Sequence, residues 1–523
     1  TTLFRSYGRF ITSNGTLKAN NSGATPSNIN LKSNNAMTIL SNLTATGSIT
    51  MNNTVNGTMS TAGAIRAGGN LTMTSLGAIT SGATQSVDGT DSMTGDTVGI
   101  NANIVSTGAL SATATGTSSD VVVNANVTVL GAGNSMVLKA KASVYTNDGA
   151  KTLQTNNAPI VFWGDSDANA TGSTLVGTYN TINTANGATM SSTGTGGGQF
   201  VMGGGAASSG DSTIPGGPSV LSWAASYTGG VAIRNNTTIY TNGGNITLRG
   251  KNVVSNGYNG GVWLYYKDVL NSGAGKILIN GENTGVANFS HGVTLNYGAN
   301  GYGTDIVSSG GDANNPAISI TGTANYTNAA GVENVWYSNV TDSTAFQALG
   351  AGGISIVGRN NVAGSNYYGV ELTGANIVSK TGPITIDGGT RGVRLGNTWN
   401  GSNAALTIGD CFTQYSVNTP APQLCDTSNG IVNRTAVDVS ILGDRIQANS
   451  AAVTFNTKGN VSLLPTSSSN MFSEDMTWYG TNSALTPASL TIGKDTGSTV
   501  MTNGLYLYGA MSAVNSISLT VDL

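Results

Sequence analysis

The chain repeats two short phrases, and the repetition limits what it can fold into. Gly-Val-x-[Leu/Ile] stands at 230 (GVAI), 261 (GVWL), 292 (GVTL), 369 (GVEL) and 392 (GVRL), with a degenerate copy, GVENVWY, at 331. Alternating with it is apolar-x-apolar-x-Gly: Ile246/Leu248/Gly250, Ile277/Ile279/Gly281, Ile318/Ile320/Gly322, Ile354/Ile356/Gly358 and Ile384/Ile386/Gly388. Leu406/Ile408 is read as continuing this second phrase with its glycine displaced. Apolar and polar residues alternating over a few positions mark a short strand with one buried face. Gly, Asn and Asp follow each strand, and these residues tolerate the backbone angles of sharp corners. A helical reading fails, because Gly and β-branched residues fill every window and no 3.6-residue period survives.

The spacing between phrases stretches while the phrases themselves persist. Sixteen positions separate Gly230 from Ile246 and Gly261 from Ile277, but 26 separate Gly292 from Ile318. A fixed core with freely growing corner loops behaves this way. The first 110 residues carry shorter units: NINLKS at 28, GSITMN at 47 and GNLTMT at 69, with MTILS at 37, GAIRA at 63 and GAITS at 77 between them.

Strands this short are not stable alone. Stacked rungs would pair each one in parallel with its equivalents about 4.8 Å above and below. Inward Ile, Leu and Val would then form apolar columns, and corner Asn residues hydrogen-bonded ladders. The expected fold is all-β: a right-handed parallel β-helix (β-solenoid) of about 20 rungs with outward loop insertions, a rod on the order of 100 Å long. Three textures are expected along one continuous solenoid. They are short rungs over 1–145, irregular rungs with Gly-rich loops over 146–228, and regular rungs with longer insertions over 229–523.

Composition narrows the function. Only 9% of residues are charged and the net charge is −3, so the basic footprint that nucleic acid demands is missing. No apolar run is long enough to span a membrane. The chain opens Thr-Thr-Leu, without an initiator Met or signal peptide, as a processed or excised product would. It closes on the strand-like SISLTVDL with no polar cap, as a fragment of a longer rod or a stacking subunit would. Its two cysteines, Cys411 and Cys425, flank a short loop; one local disulfide and an oxidising compartment are expected.

GGNLTMTSLGAITSG (68–82), APIVFWGDSDANATGS (158–173) and GKILINGENTG (275–285) resemble the repetitive body of the filamentous-haemagglutinin-like exoproteins of bacterial two-partner secretion. The similarity is one of repeat style and extends over nearly the whole chain. It implies a right-handed parallel β-helix, export to the cell surface or beyond, and a role in adhesion or surface structure. The family's N-terminal secretion domain, with its Asn-Pro-Asn-type motifs, is not visible in this sequence.

Residues that could carry chemistry are sparse. His291, in NFSHGVTL, is the one histidine and is read as a surface or corner residue. Asp387, Arg391 and Arg394, with Asp410, Asp426 and Asp444 further on, are the charges a polysaccharide-degrading β-helix would need, but the sequence does not place them on one face. Asp165, Asp167 and Asn169 have the odd spacing of a Ca2+ loop without its sixth-position Gly or distal Glu. They are a candidate structural Ca2+ site, with an Asx-rich turn as the other reading. TGGGQF lacks the Lys-Ser/Thr of a phosphate loop. Sequons at Asn42, Asn70, Asn126, Asn245, Asn339 and Asn433 are candidate glycosylation sites, though a chain so rich in Asn, Ser and Thr makes them by chance. Trp263, Tyr265, Tyr266, Trp336, Tyr337, Tyr367 and Tyr368 lie near the Gly-Val phrases and form a candidate aromatic stripe for glycans or a neighbouring rod.

The expectation is a non-enzymatic extracellular rod segment of a bacterial adhesin, with a cell-surface receptor or glycan as partner. A self-assembling filament subunit and a polysaccharide-degrading enzyme are the alternatives.

Overall fold

The structure, a computed structural model, describes residues 2–5, 11–13, 15–20, 25–186, 190–191, 194–222, 228–255, 257–286, 288–297, 303–334, 344–363, 365–396, 406–411, 436–448, 453–466, 476–478, 481–482, 486–493, 505–507 and 512–519. The chain forms a parallel β-helix. Contacts divide it into two compact units, one of Thr1–Thr189, Gly196–Val220 and Thr237–Thr241, the other of Met190–Thr195, Leu221–Asn236 and Asn242–Leu523. Among the described residues no helix is long and apolar enough to cross a membrane.

In the first unit each rung contributes one strand to each of three sheets. One rung runs through Leu71–Ser75, Ile79–Ser81 and Gln85–Val87, and the next begins at Asp91–Gly95, in parallel register with Leu71–Ser75. The three-residue corners of this rung turn the chain to a different sheet, and each strand pairs in parallel with its equivalent in the next rung rather than with its neighbour in sequence. The column Leu31, Met51, Met73, Met93 shows the result. These side chains stack in register and are all buried. Burying each is worth roughly 1.5–3 kcal/mol, which compensates for the brevity of each strand.

Corner asparagines tie the rungs together. The Oδ1 atoms of Asn42, Asn70 and Asn126 accept from the backbone N–H groups of Ala64 (2.9 Å), Thr90 (2.9 Å) and Thr152 (2.8 Å), each one rung on. Asn245 does the same for Lys276 in the second unit (2.8 Å). Four of the six sequon asparagines therefore serve the corners, which gives them a structural reason to recur. Asn339 and Asn433 lie outside the described residues.

The Gly-rich segment continues the first unit's rungs. Phe200–Ala207 pairs in parallel with Ile160–Trp163, then folds back on Pro215–Gly217 as an antiparallel hairpin. The Trp163 indole N–H donates to the Gly205 carbonyl at 2.9 Å and fastens the hairpin base.

The second unit explains the two phrases. Ile-x-Ile-x-Gly is the first strand of each rung, as in Ile277–Asn283, Ile318–Ala324 and Ile354–Asn360. Gly-Val-x-Leu begins the second strand, with Val262, Val293, Val332, Val370 and Val393 in one inward column. The two glycines meet at the corner between them. A Cβ on Gly281, Gly322 or Gly358 would lie 2.0, 1.9 or 1.9 Å from the carbonyl oxygen of Gly292, Gly331 or Gly369 in the same rung. No side chain fits such an approach.

A third strand per rung carries no equally clear phrase. It is Asp305–Ser308, Thr344–Ala348, Ala375–Ser379 and Leu406–Gly409 in successive rungs. Leu406/Ile408 therefore belongs to this third sheet and does not continue the Ile-x-Ile-x-Gly column, whose next member is Val439–Leu442. Val439 comes 30 positions after Gly409 in the sequence, so a strand from one sheet came to stand where the other was expected. The anticipated asparagine ladder is present at the first corner, where Asn252 Nδ2 donates to Asn283 Oδ1 at 2.7 Å inside the protein.

One position breaks the core pattern. Asp91 stands between Leu71 and Leu110 in an inward column, fully buried, with neither carboxyl oxygen hydrogen-bonded among the described residues. Burial raises its pKa from 3.8 to about 7. Between those values the folded chain keeps a proton that the unfolded chain releases. The group's contribution to stability is thus fully present below pH 3.8 and is lost as pH rises through about 7. Asp91→Leu is expected to stabilise the protein at pH 8 by roughly 4 kcal/mol and to flatten this part of the pH dependence. Denaturation midpoints of both proteins at pH 4 and pH 8 measure it. Gly358→Ala, by contrast, should destabilise by about 1–3 kcal/mol through overpacking, whereas outward Ser355→Ala should change stability by no more than about 0.5 kcal/mol. Chemical denaturation of both variants checks the difference.

Candidate functional site

The second sheet of the second unit carries an outward row. Each inward Val of the Gly-Val phrase is followed by a residue on the opposite face, because strand side chains alternate. Register stacks these residues as Ala232, Trp263, Thr294, Glu333, Glu371, Arg394 and Gln447, one per rung. The row begins apolar and becomes charged. Ala232, Trp263 and Thr294 are fully buried, whereas the Glu333 and Arg394 side chains keep 13% and 23% of their surface exposed.

Glu333 and Glu371 are direct register partners, one strand spacing of about 4.8 Å apart. Like charges opposite each other in a sheet are destabilising, and each carboxylate meets a donor. His291 Nε2 lies 2.5 Å from Glu333 Oε2. The Arg394 guanidinium lies 3.5 Å from Glu371 Oε1. The Ala330 backbone N–H donates to His291 Nδ1 at 2.8 Å, so Nδ1 is an acceptor and the ring proton sits on Nε2, aimed at Glu333.

Aromatic rings gather where the chain enters this sheet. Tyr258 and Phe289 stack at 5.3 Å with their planes 15° apart. Tyr367 sits 6.1 Å from Phe289 but is turned by 74°, and lies 6.2 Å from the His291 ring. Burial, then the charges of Glu333 and Glu371, push the Tyr367 hydroxyl above its ordinary value, so it stays protonated over any physiological pH. Tyr368 is buried beneath this corner. Arg445 lies over its ring at 4.2 Å and Arg394 at 5.4 Å, and its hydroxyl is hydrogen-bonded to Gln447 Oε1.

These positions correct the expected aromatic stripe. Trp263 and Tyr368 are fully buried and offer no lateral surface; the outward face of this sheet is itself covered at both. Tyr265 and Tyr266 are half-buried at the far end of their strand, while Tyr367 lies at the near end, so no single stripe joins them. Trp336 and Tyr337 lie outside the described residues. His291 is at a corner as expected, but it is buried rather than on the surface, because Ala330 and Glu333 occupy both ring nitrogens.

The other charges serve the scaffold. Asp387 takes Arg359 in a two-pronged pair at 3.0 and 2.6 Å. Buried Asp410 accepts from the Thr457 hydroxyl at 2.9 Å, and Asp444 from both Thr466 N and Oγ1 at 2.9 Å. Asp426 lies outside the described residues, as does Cys425, whereas Cys411 is buried.

The 165–169 loop has the geometry of an Asx-rich turn. Asp165 Oδ1 accepts from Thr171 N (3.2 Å), Asp167 Oδ2 from Asn169 Nδ2 (3.2 Å), and Asn169 Oδ1 from the Thr171 hydroxyl. Asp165, Ala168 and Ala170 have positive φ. Burial raises the Asp165 pKa above its ordinary value. Among the described residues no group of three or more His, Cys, Asp or Glu side chains is placed to hold a metal ion.

Glu333 and Glu371 were legible and were missed. Both occupy the x position of Gly-Val-x-Leu, in GVEN and GVEL. Reading down that one position gives Ala, Trp, Thr, Glu, Glu, Arg, which is the outward row itself.

The Glu371–Arg394 pair is mostly buried, so removing one partner should leave the other charge stranded. Glu371→Ala should cost on the order of 3–5 kcal/mol, and adding Arg394→Met should restore much of the loss. Chemical denaturation of both single variants and the double variant measures the coupling; additive losses would contradict it. Comparison with protein-family models, with curated proteins and with solved structures returns no match to this chain.

Proposed function

We propose that the chain is a non-enzymatic extracellular rod segment of a large bacterial secreted or surface adhesin, of the filamentous-haemagglutinin-like, two-partner-secretion type. One observation carries the reading. Register between rungs holds while the connecting loops vary widely in length, so Ile277, Ile318 and Ile354 stack directly across the 26-position stretch from Gly292 to Ile318. A scaffold of this kind keeps its core indifferent to its loops, which suits a protein whose work is to present loops and lateral faces. The partner would be a receptor or glycan on a host or neighbouring cell.

The two adjacent carboxylates bear on the enzymatic alternative. Hydrolysis needs one carboxylic acid to protonate the leaving oxygen while a second carboxylate acts across the bond. Glu333 and Glu371 stand one strand spacing apart, near the separation of a retaining pair, but each carboxylate already faces a donor within the protein. That arrangement favours holding a ligand over cleaving it. An extracellular setting also fits a Cys411–Cys425 bridge, which would pin the loop between them.

Purified, fluorescently labelled chain should bind cell monolayers or neighbouring bacteria saturably, without releasing reducing ends or unsaturated products from polysaccharides. Absence of cell binding would contradict the adhesive reading. Concentration-dependent filaments in electron microscopy would move the chain to a filament subunit, and new sugar ends to a depolymerase. The bridge has its own test. The non-reduced protein should show no reactive thiol after denaturation, and reduction should cost roughly 3 kcal/mol of stability; two titratable thiols in the non-reduced protein would contradict it.

A further inference from the structure

Several polar atoms on and beside the outward row make no hydrogen bond among the described residues. Thr294 Oγ1 is fully buried and makes no hydrogen bond among the described residues, and neither does buried Arg394 Nε. Glu333 uses Oε2 for His291, and no hydrogen bond to its Oε1 is formed among the described residues. The Tyr367 hydroxyl, held protonated, likewise has none, although Glu333 and Glu371 are close enough to raise its pKa. Buried polar groups are almost always satisfied. The groups a ligand can reach are the part-exposed Glu333, Arg394 and Tyr367, which lie close enough together for both charges to act on the Tyr367 hydroxyl, and polar groups gathered beside an aromatic ring suit a polar ligand.

The chemistry of these groups selects the ligand. Glu333 Oε1 accepts, the part-exposed Arg394 guanidinium donates, and the Tyr367 hydroxyl does either. A ligand must therefore alternate donors and acceptors over a short distance, as a ring of hydroxyl groups does. Tyr367 adds an aromatic surface. Tyr258 and Phe289 cover each other's faces, but Tyr367 is turned out of that stack and does not continue it. An apolar C–H face of a sugar ring packs on such a ring. Two carboxylates oppose an anionic ligand, while Arg394 and Arg445 nearby oppose a cationic one.

We propose that Glu333, Glu371, Arg394 and Tyr367 form a carbohydrate-binding site for an uncharged sugar ring, a hexose or N-acetylhexosamine. This deepens the adhesive reading and rests on it for its biological setting. Sugar hydroxyls donate to Glu333 and accept from Arg394, and the ring lies against Tyr367. The site discriminates against sialylated and uronate-bearing glycans, because their carboxylates would face Glu333 and Glu371.

The test is binding of the full chain to an immobilised panel of oligosaccharides ending in glucose, galactose, mannose, N-acetylglucosamine, sialic acid or glucuronate. At least one uncharged sugar should bind, with the acidic ones at least tenfold weaker. Tyr367→Ala and Glu333→Gln should each weaken binding at least tenfold while the thermal midpoint of Tyr367→Ala stays within a few degrees of wild type. In case a variant fails to fold, hydroxyl-radical footprinting of the wild-type chain supplies the same answer: the bound oligosaccharide should protect Tyr367 and Phe289. The proposal is overturned if no uncharged sugar binds, if acidic sugars bind equally well, if folded variants bind as wild type does, or if neither ring is protected. Cell binding without sugar binding would sink this site and leave the adhesive reading intact. Sugar binding without cell binding would do the reverse.

Discussion

The structure of the second unit depends on a steric constraint repeated once per rung. Two residues before its end, the first strand carries a glycine whose missing side chain lets the second strand's leading carbonyl come within 2.0 Å of where a Cβ would be. The leading glycine is in turn pressed against the next rung, where a Cβ on Gly292 or Gly331 would meet the backbone nitrogens of Thr323 or Arg359 at 2.3 and 2.2 Å. Each corner is therefore locked both within its rung and to its neighbour. Once the corner is set, period-two alternation decides which residue faces in and which faces out. The inward valines and the outward row that follows them are consequences of the same pair of glycines.

That corner also determines where polar chemistry can be placed. A position directly after an inward Val must face outward, and parallel stacking puts all such positions in one line. Glu333 and Glu371 are neighbours because their rungs are neighbours, despite 38 intervening steps of sequence. Two carboxylates so close would repel; His291 and Arg394 offset this from above and below. His291 can serve because it is the residue just before a corner glycine, where the Ala330 N–H of the following rung fixes its tautomer. A stack of rungs thus brings together residues far apart in sequence without any loop having to fold over them.

The sequence revealed much of this fold because the fold is periodic. Ile-x-Ile-x-Gly and Gly-Val-x-Leu identified two of three strands per rung, and the asparagine ladder followed from the same repeat. The third strand stayed hidden because its residues, as in DIVS and TAFQA, are buried on both faces and show no alternation. Leu406/Ile408 was assigned to the wrong sheet because this third-sheet strand reads apolar-x-apolar, as the first sheet does. The site was less legible, for a different reason. Attention to each phrase along the chain valued conspicuous rings, and Trp263 turned out to be buried. The informative direction was across the repeats, down a single variable position, where register turns distance in sequence into contact. Asp91 shows the limit of pattern reading. Nothing in DSMTG tells the eye that its acidic residue occupies a place otherwise held by Leu71 and Leu110.

In-register parallel stacking is the claim on which every other statement rests, and cysteine cross-linking tests it directly. Ser319 and Ser355 are register partners on the outer face of adjacent rungs, and Thr385 is the partner of Ser355 one rung further. With Cys411 and Cys425 replaced by Ser, the pair Ser319→Cys/Ser355→Cys should oxidise readily to a disulfide, since adjacent rungs lie within its reach. Ser319→Cys/Thr385→Cys, about 9.6 Å apart across two rungs, should not. Equal cross-linking of the two pairs, or preferential cross-linking of the second, would contradict the stacked register.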